Sequence, residues 1–420
     1  MERVRPAQLI AVLAAALALL AGGPAPAVAA EVVPLPASGE LAIEGRGFGH
    51  GRGMSQWGAY GAAVSGLSYD RILAHYYRGT SLVVRDDLQL RVRVTAAGDD
   101  ETVLAAVPGL TATASGASLT LPLSIEGWRV TAWRVVRGGA GLVLQGRART
   151  WRDVSVGGLV SHAGPVRLTS PAGTVRLVLG ATYREYRGAV EAVAAGPGVG
   201  TRVVGSLESY LRSVVPAEMP ASWPAAAVQA QAVAARSYAW WQRTEEPGGW
   251  YDTCDSTRCQ VFTGVADYTS VGDLLRRYEH PASDAAVAAT AGRLLVHDGV
   301  PAFAQFGSAN GGWTVRGSRP YLQAFEDPYD GVVSGSPHTW RASLSASDVA
   351  AAYPAAGRVN ALLVPARDGL GAWGGRIASV VIEGSAGSVT VSGEEFRIAL
   401  GLRSSWWRPA GADRSAGSRR

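Results

Sequence analysis

Apolar and polar residues alternate along much of the first half of the chain. Leu88, Leu90, Val92 and Val94 are interleaved with Gln89, Arg91 and Arg93, the period-two pattern of a half-buried strand. Short apolar runs follow at 119–123, 128–136, 142–144, 166–168 and 175–179, punctuated by Gly, Pro, Ser and Asp. Their regular spacing predicts an all-β insert, sandwich or barrel-like, over residues 81–180. After Pro224 the pattern changes. AAAVQAQAVAARSYAWW, residues 225–241, is rich in the best helix former and almost wholly apolar, which predicts a buried helix. Helical patterns also begin after Ser55, near 69–77 and at 284–291, and 293–296 reads as a strand. The mixture predicts an α+β fold.

Glu218 lies just ahead of the apolar helix. Pro216, Pro220 and Pro224 fix φ and disfavour helix at the residues before them, which predicts a braced turn carrying this carboxylate. Ser222 reads as the helix cap. Arg236, expected to be buried, needs an anionic partner, and Glu218 or an anionic ligand is the candidate. Upstream, Gly45, Gly47, Gly49, Gly51 and Gly53 alternate with other residues, so the backbone there can approach another backbone or a ligand closely. The spacing is not that of a nucleotide-binding glycine loop.

Composition narrows the compartment. Arg3 and Arg5, an apolar run from Leu9 to Ala21 and Ala27-Val28-Ala29 read as a secretory signal peptide over residues 1–30. No later stretch reads as a membrane span, so a secreted protein is expected. The 39 basic residues are all Arg, and a formal net charge of +5 is too diffuse to indicate a nucleic-acid partner. The only two cysteines, Cys254 and Cys259, lie in one short segment of an exported chain. A local disulfide is the leading reading. Zinc is the competing one, and two thiolates with no adjacent His make a poor closed site. No cofactor is therefore expected.

VVPAEMPASWPAAAVQAQAVAARSYAW resembles the core motif of the SpoIID/LytB family, also called the stage II sporulation protein D or amidase-enhancer family. Residues 45–80, with GHGRGMSQWGAYGAAVSG and ILAHYYRGT, resemble a second block of the same family, which stands C-terminally in many members. The segment 183–219 and the landmarks Ser308–Thr314 and 321–330 match too. The resemblance implies a SpoIID-type catalytic core over 181–345. It also implies that residues 31–80 pack on that core, and that 346–408 complete it in a permuted order. A disordered tail is expected over 409–420.

Active members of the family are lytic transglycosylases that cut peptidoglycan glycan strands. The resemblance makes Glu218 and Arg236 catalytic. It assigns substrate contacts to Gln231, Tyr238, Gln260, Ser308, Asn310, Thr314, His50, Ser55 and Gln56. Trp223, Trp250 and Trp313 are candidates for stacking on sugars. A hydrolase would need a second acid, for which Asp252, Asp255, Glu326 and Asp327 are the candidates; a transglycosylase needs only one. A different class is a non-catalytic wall-binding module that enhances an amidase.

Overall fold

In the computed structural model, the structure describes residues 30–139, 141–153, 164–245 and 249–412. The expected signal peptide and the end of the expected tail lie outside these residues, apart from Ala30. The chain divides into two compact units, Arg46–Thr339 and a second built from residues up to Gly45 together with Trp340 onward.

The larger unit is a β-sandwich joined to a helical layer. One sheet has eight strands in the order Trp151–Asp153, Gly141–Arg147, Ala132–Gly138, Glu101–Ala105, Thr174–Leu179, Thr182–Arg187, Ala266–Tyr268 and Leu274–Arg277. The other has seven, ordered Thr253–Cys254, Gln89–Arg93, Gly198–Ser206, Ala189–Ala195, Val166–Thr169, Thr111–Ala114 and Ala117–Thr120. Both are open, so the barrel alternative does not apply. Leu90, Val92, Leu104, Leu168, Leu177 and Val203 fill one continuous core. Within it Thr102 of the first sheet and Thr201 of the second satisfy each other by a 2.7 Å hydroxyl–hydroxyl hydrogen bond. The expected insert is thus not a separate domain. Its strands pair with 182–206 and with 253–254, and the partners of Gln89–Arg93 are too distant in sequence for local alternation to reveal.

Helices α1 (Gln56–Val64), α2 (Tyr69–Tyr76), α3 (Leu207–Glu218), α4 (Ala225–Glu245) and α5 (Pro281–Ala289) form the helical layer. All four others contact α4. Its alanines permit that approach, and twelve of its residues are buried. It extends four residues beyond the apolar run, since Gln242, Arg243 and Glu245 are good helix formers. No described helix is long and apolar enough to cross a membrane.

The smaller unit has its own core of Val33, Ile43, Trp340, Leu362, Val380, Phe396 and Trp407. An antiparallel sheet runs Glu31–Pro34, Val359–Arg367, Ile377–Gly384 and Gly387–Ser392. Helices α6 (Ala346–Ala352) and α7 (Gly393–Ala399) belong to this unit, and a Ser392–Glu395 capping box closes the start of α7. Residues 346–408, expected in the catalytic core, therefore build a unit of their own with 31–45. Within the expected tail, Pro409 is ordered in a strand beside Ile43.

Candidate active site

Glu218 is the last residue of α3. The Ser206 hydroxyl caps this helix by accepting from the Ser209 N–H at 3.1 Å. The expected turn is instead a helix end. Pro216 is accommodated inside the final turn, and the Met219 N–H still donates to the Val215 carbonyl at 2.9 Å. Met219 is then extended, as a residue preceding proline must be, and the helix stops there.

This helix end opens onto a cavity of about 440 Å³ lined by Glu218, Tyr238, Gln56, His50, Ser308 and Arg258, with Phe48, Thr257, Cys259, Gln305, Phe306 and Gly307. Glu218 is the one acidic residue among these. Burial pushes its carboxyl above the ordinary range, while a 2.8 Å hydrogen bond donated by the Val261 N–H pulls the other way. The Gln56 amide donates to the Glu218 carbonyl at 2.9 Å and also reaches Gln231 Oε1 at 3.4 Å. Gln231, fully buried on α4, braces Gln56 instead of lining the cavity. The Arg52 N–H donates to His50 Nδ1 at 2.9 Å, which in a neutral ring places the proton on Nε2.

The glycine run is explained by a backbone zipper. Phe48 exchanges hydrogen bonds with Ala309 at 2.7 and 3.1 Å, and Val315 donates to the Gly51 carbonyl at 2.8 Å. Gly53 has φ 65°, and a Cβ there would collide with the Gln305 carbonyl oxygen. The two loops that wall the cavity are thereby locked together.

Several expected site residues are supports. Ser55 caps α1, accepting from the Gly58 N–H and donating to Asp330 Oδ2 at 2.8 Å. The Asn310 amide donates to Asp327 at 2.6 Å, its N–H to Asp330 at 2.6 Å, and Thr314 bonds the 323–325 backbone. Gln260 accepts from the Tyr210 hydroxyl at 3.1 Å, is buried and does not line the cavity. Burial alone would raise the pKa of Asp327, but the His75 imidazole 3.6 Å away and hydrogen bonds from Tyr76 and Asn310 hold it below the usual carboxylate range.

Arg236 departs most from expectation. It is fully buried and makes a bidentate ion pair with Glu208, at 2.7 and 2.8 Å, with a further bond to the Arg293 carbonyl. A buried guanidinium takes the carboxylate that reaches both its edge nitrogens, and here that is Glu208 at the start of α3. It fastens α4 to α3 and does not contact Glu218. The spacing from 208 to 236 carries no helical or strand period, so the pairing has no sequence signal.

None of the four candidate second acids lines the cavity. Asp252 is bound by Arg91 and Arg243, Asp255 by Thr95, and Asp327 as above; Glu326 sits on an exposed bridge to Trp313. Trp223 packs with Trp57 and Tyr60, and Trp250 lies against Gly200. Cys254 and Cys259 are joined as a disulfide, Cα–Cα 5.5 Å, and Thr257 and Arg258 ride on the loop it closes.

The SpoIID family, described as "Stage II sporulation protein", matches residues 199–297, the stretch holding α3, Glu218, α4 and the disulfide loop. The chain carries a SpoIID/LytB family segment. It is 58% identical over 40 residues to the amidase enhancer of Bacillus subtilis, and 46% identical over 46 residues to stage II sporulation protein D of the same organism. An uncharacterized protein of Brachyspira hyodysenteriae is 51% identical over 43 residues. These matches cover 10–11% of this chain and 6, 13 and 12% of the three relatives respectively. His50, Gln56 and Ser308 lie outside the family match.

Proposed function

We propose that this chain is an exported peptidoglycan lytic transglycosylase. It acts outside the cytoplasm, without a cofactor, a nucleic-acid partner or a membrane span after signal cleavage. One observation carries the reading: a single carboxyl, held above its ordinary range by burial, opens onto a cavity with no second acid among its described lining residues. An enzyme that adds water would need a second carboxylate across the cavity. With one, the substrate supplies its own nucleophile.

Glu218 as the acid protonates the glycosidic oxygen while the C1–oxygen bond of muramic acid breaks. The resulting carboxylate then takes the proton of the C6 hydroxyl as that oxygen bonds to C1. The carboxyl is restored, no water is consumed, and the product ends in 1,6-anhydro-muramic acid. Tyr238, Ser308 and His50 meet the sugar hydroxyls, and Gln56 fixes the end of α3 so that Glu218 keeps its aim. The test is mass analysis of purified peptidoglycan digested with the protein, where anhydro ends, one water lighter than hydrolysed ends, are expected.

A second reading rests on the 40-residue likeness to the amidase enhancer. Under it the cavity binds glycan without cutting and the chain stimulates a wall amidase. Absence of any cleavage, together with amidase stimulation, supports that reading.

A further inference from the structure

The proposed mechanism leaves one charged group in the cavity without a task. Arg258 lines the same cavity as Glu218, at the tip of the loop closed by Cys254 and Cys259. The loop is held in place. Asp255 accepts from the Thr95 N–H and hydroxyl, the Cys259 N–H donates to the Ser256 carbonyl at 2.9 Å, and the Phe262 N–H donates to the Asp255 carbonyl. Arg258 itself is exposed, and no described residue forms an ion pair with it.

Among the described residues no ion pair joins Arg258 to Glu218. A guanidinium close to that carboxyl would hold it ionised, yet what acts on Glu218 is burial and the Val261 N–H. Arg258 is therefore a permanent cation on a fixed mount at the wall of the cavity that Glu218 enters. Guanidinium matches carboxylate geometry with two parallel N–H donors. We propose that Arg258 is a specificity residue that binds a carboxylate of the glycan substrate next to the bond being cut. The inference rests on the glycan-cleaving reading and assigns a carboxylate-bearing saccharide to this site. That carboxylate belongs either to a free lactyl group on muramic acid or to a stem peptide.

The test uses Glu218→Gln as the background, so that strands are bound and not consumed, with calorimetric titration of three probes. These are peptide-stripped peptidoglycan strands, peptide-bearing strands, and a neutral N-acetylglucosamine oligomer of equal length. The parent is expected to bind a carboxylate-bearing probe about 10- to 100-fold more tightly than the neutral oligomer. Arg258→Gln should erase that advantage and leave the neutral oligomer unchanged, while Arg258→Lys restores part of it. The probe that loses affinity identifies the carboxylate: stripped strands point to lactyl, peptide-bearing strands to the peptide. Equal affinity of Arg258→Gln and parent for every probe overturns the inference, as does a parent that binds none of them. Failure of the functional reading is separate. It shows as no glycan cleavage by wild type while the Arg258→Gln binding loss persists.

Discussion

Glu218 has two separable consequences. Replacing it with Gln keeps shape and hydrogen bonding but removes the transferable proton. Glycan cleavage is expected to fall about 10²-fold or more, while binding to sacculi is retained. The second consequence is for stability. Burial raises this carboxyl on folding. Its contribution to stability is therefore full below the unfolded carboxyl range and is lost as pH rises through the raised folded value. Glu218→Gln does not titrate, so it should gain stability relative to wild type as pH increases across that window. Urea unfolding of both proteins over a pH series measures this; a constant difference would refute the buried-acid reading. Much at this scale was legible in the chain, because Glu218, Tyr238, His50, Gln56 and Ser308 all line one cavity. The roles of Arg236, Asn310 and Thr314 were not, since a motif position does not say whether a polar side chain faces a cavity or a neighbouring carboxylate.

Among the elements, helices were the most readable, since alanine content, caps and apolar periodicity are local properties. What joins them is not local. The Arg236–Glu208 pair clamps α4 to α3 and so sets where the end of α3, with Glu218, points. Glu208→Ala leaves a fully buried guanidinium without its carboxylate. About 3 kcal/mol of stability should be lost, at the low end for such a cut because the Glu208 carboxylate is 25% exposed. Denaturant unfolding checks this. The catalytic assignment for Arg236 predicts instead a folded, inactive protein of normal stability. The disulfide loop behaves differently again. A closure this short removes only about 2 kcal/mol of unfolded-chain entropy. Changing Cys254 and Cys259 to Ser should thus weaken binding of carboxylate-bearing strands more than it weakens the fold, measured by titration and thermal unfolding side by side.

At the scale of the whole molecule, the sequence pattern shows that strands exist but not which strands pair. Gln89–Arg93 lies between Gly198–Ser206 and Thr253–Cys254, over a hundred residues away, and Leu41–Arg46 pairs with Trp407–Pro409. No local period encodes such partnerships, so the pattern along the chain points to an insert and a permuted core where the structure has one sandwich-plus-helix unit and one small unit. Two hydrophobic cores with no shared residues predict two unfolding transitions instead of one. Gly45 offers a way to separate them. It sits in the strand beside Trp407, with the Trp340 ring packed directly on its Cα, so that an added Cβ would overlap the ring. Trp340 is itself buried in the small unit's core and cannot swing into solvent without opening a void there. Gly45→Ala should therefore cost about 1–3 kcal/mol through overpacking. In a calorimetric scan the loss should fall on one transition, the smaller one, with the other unmoved. A single transition that shifts as a whole would mean that the two cores unfold as one cooperative body.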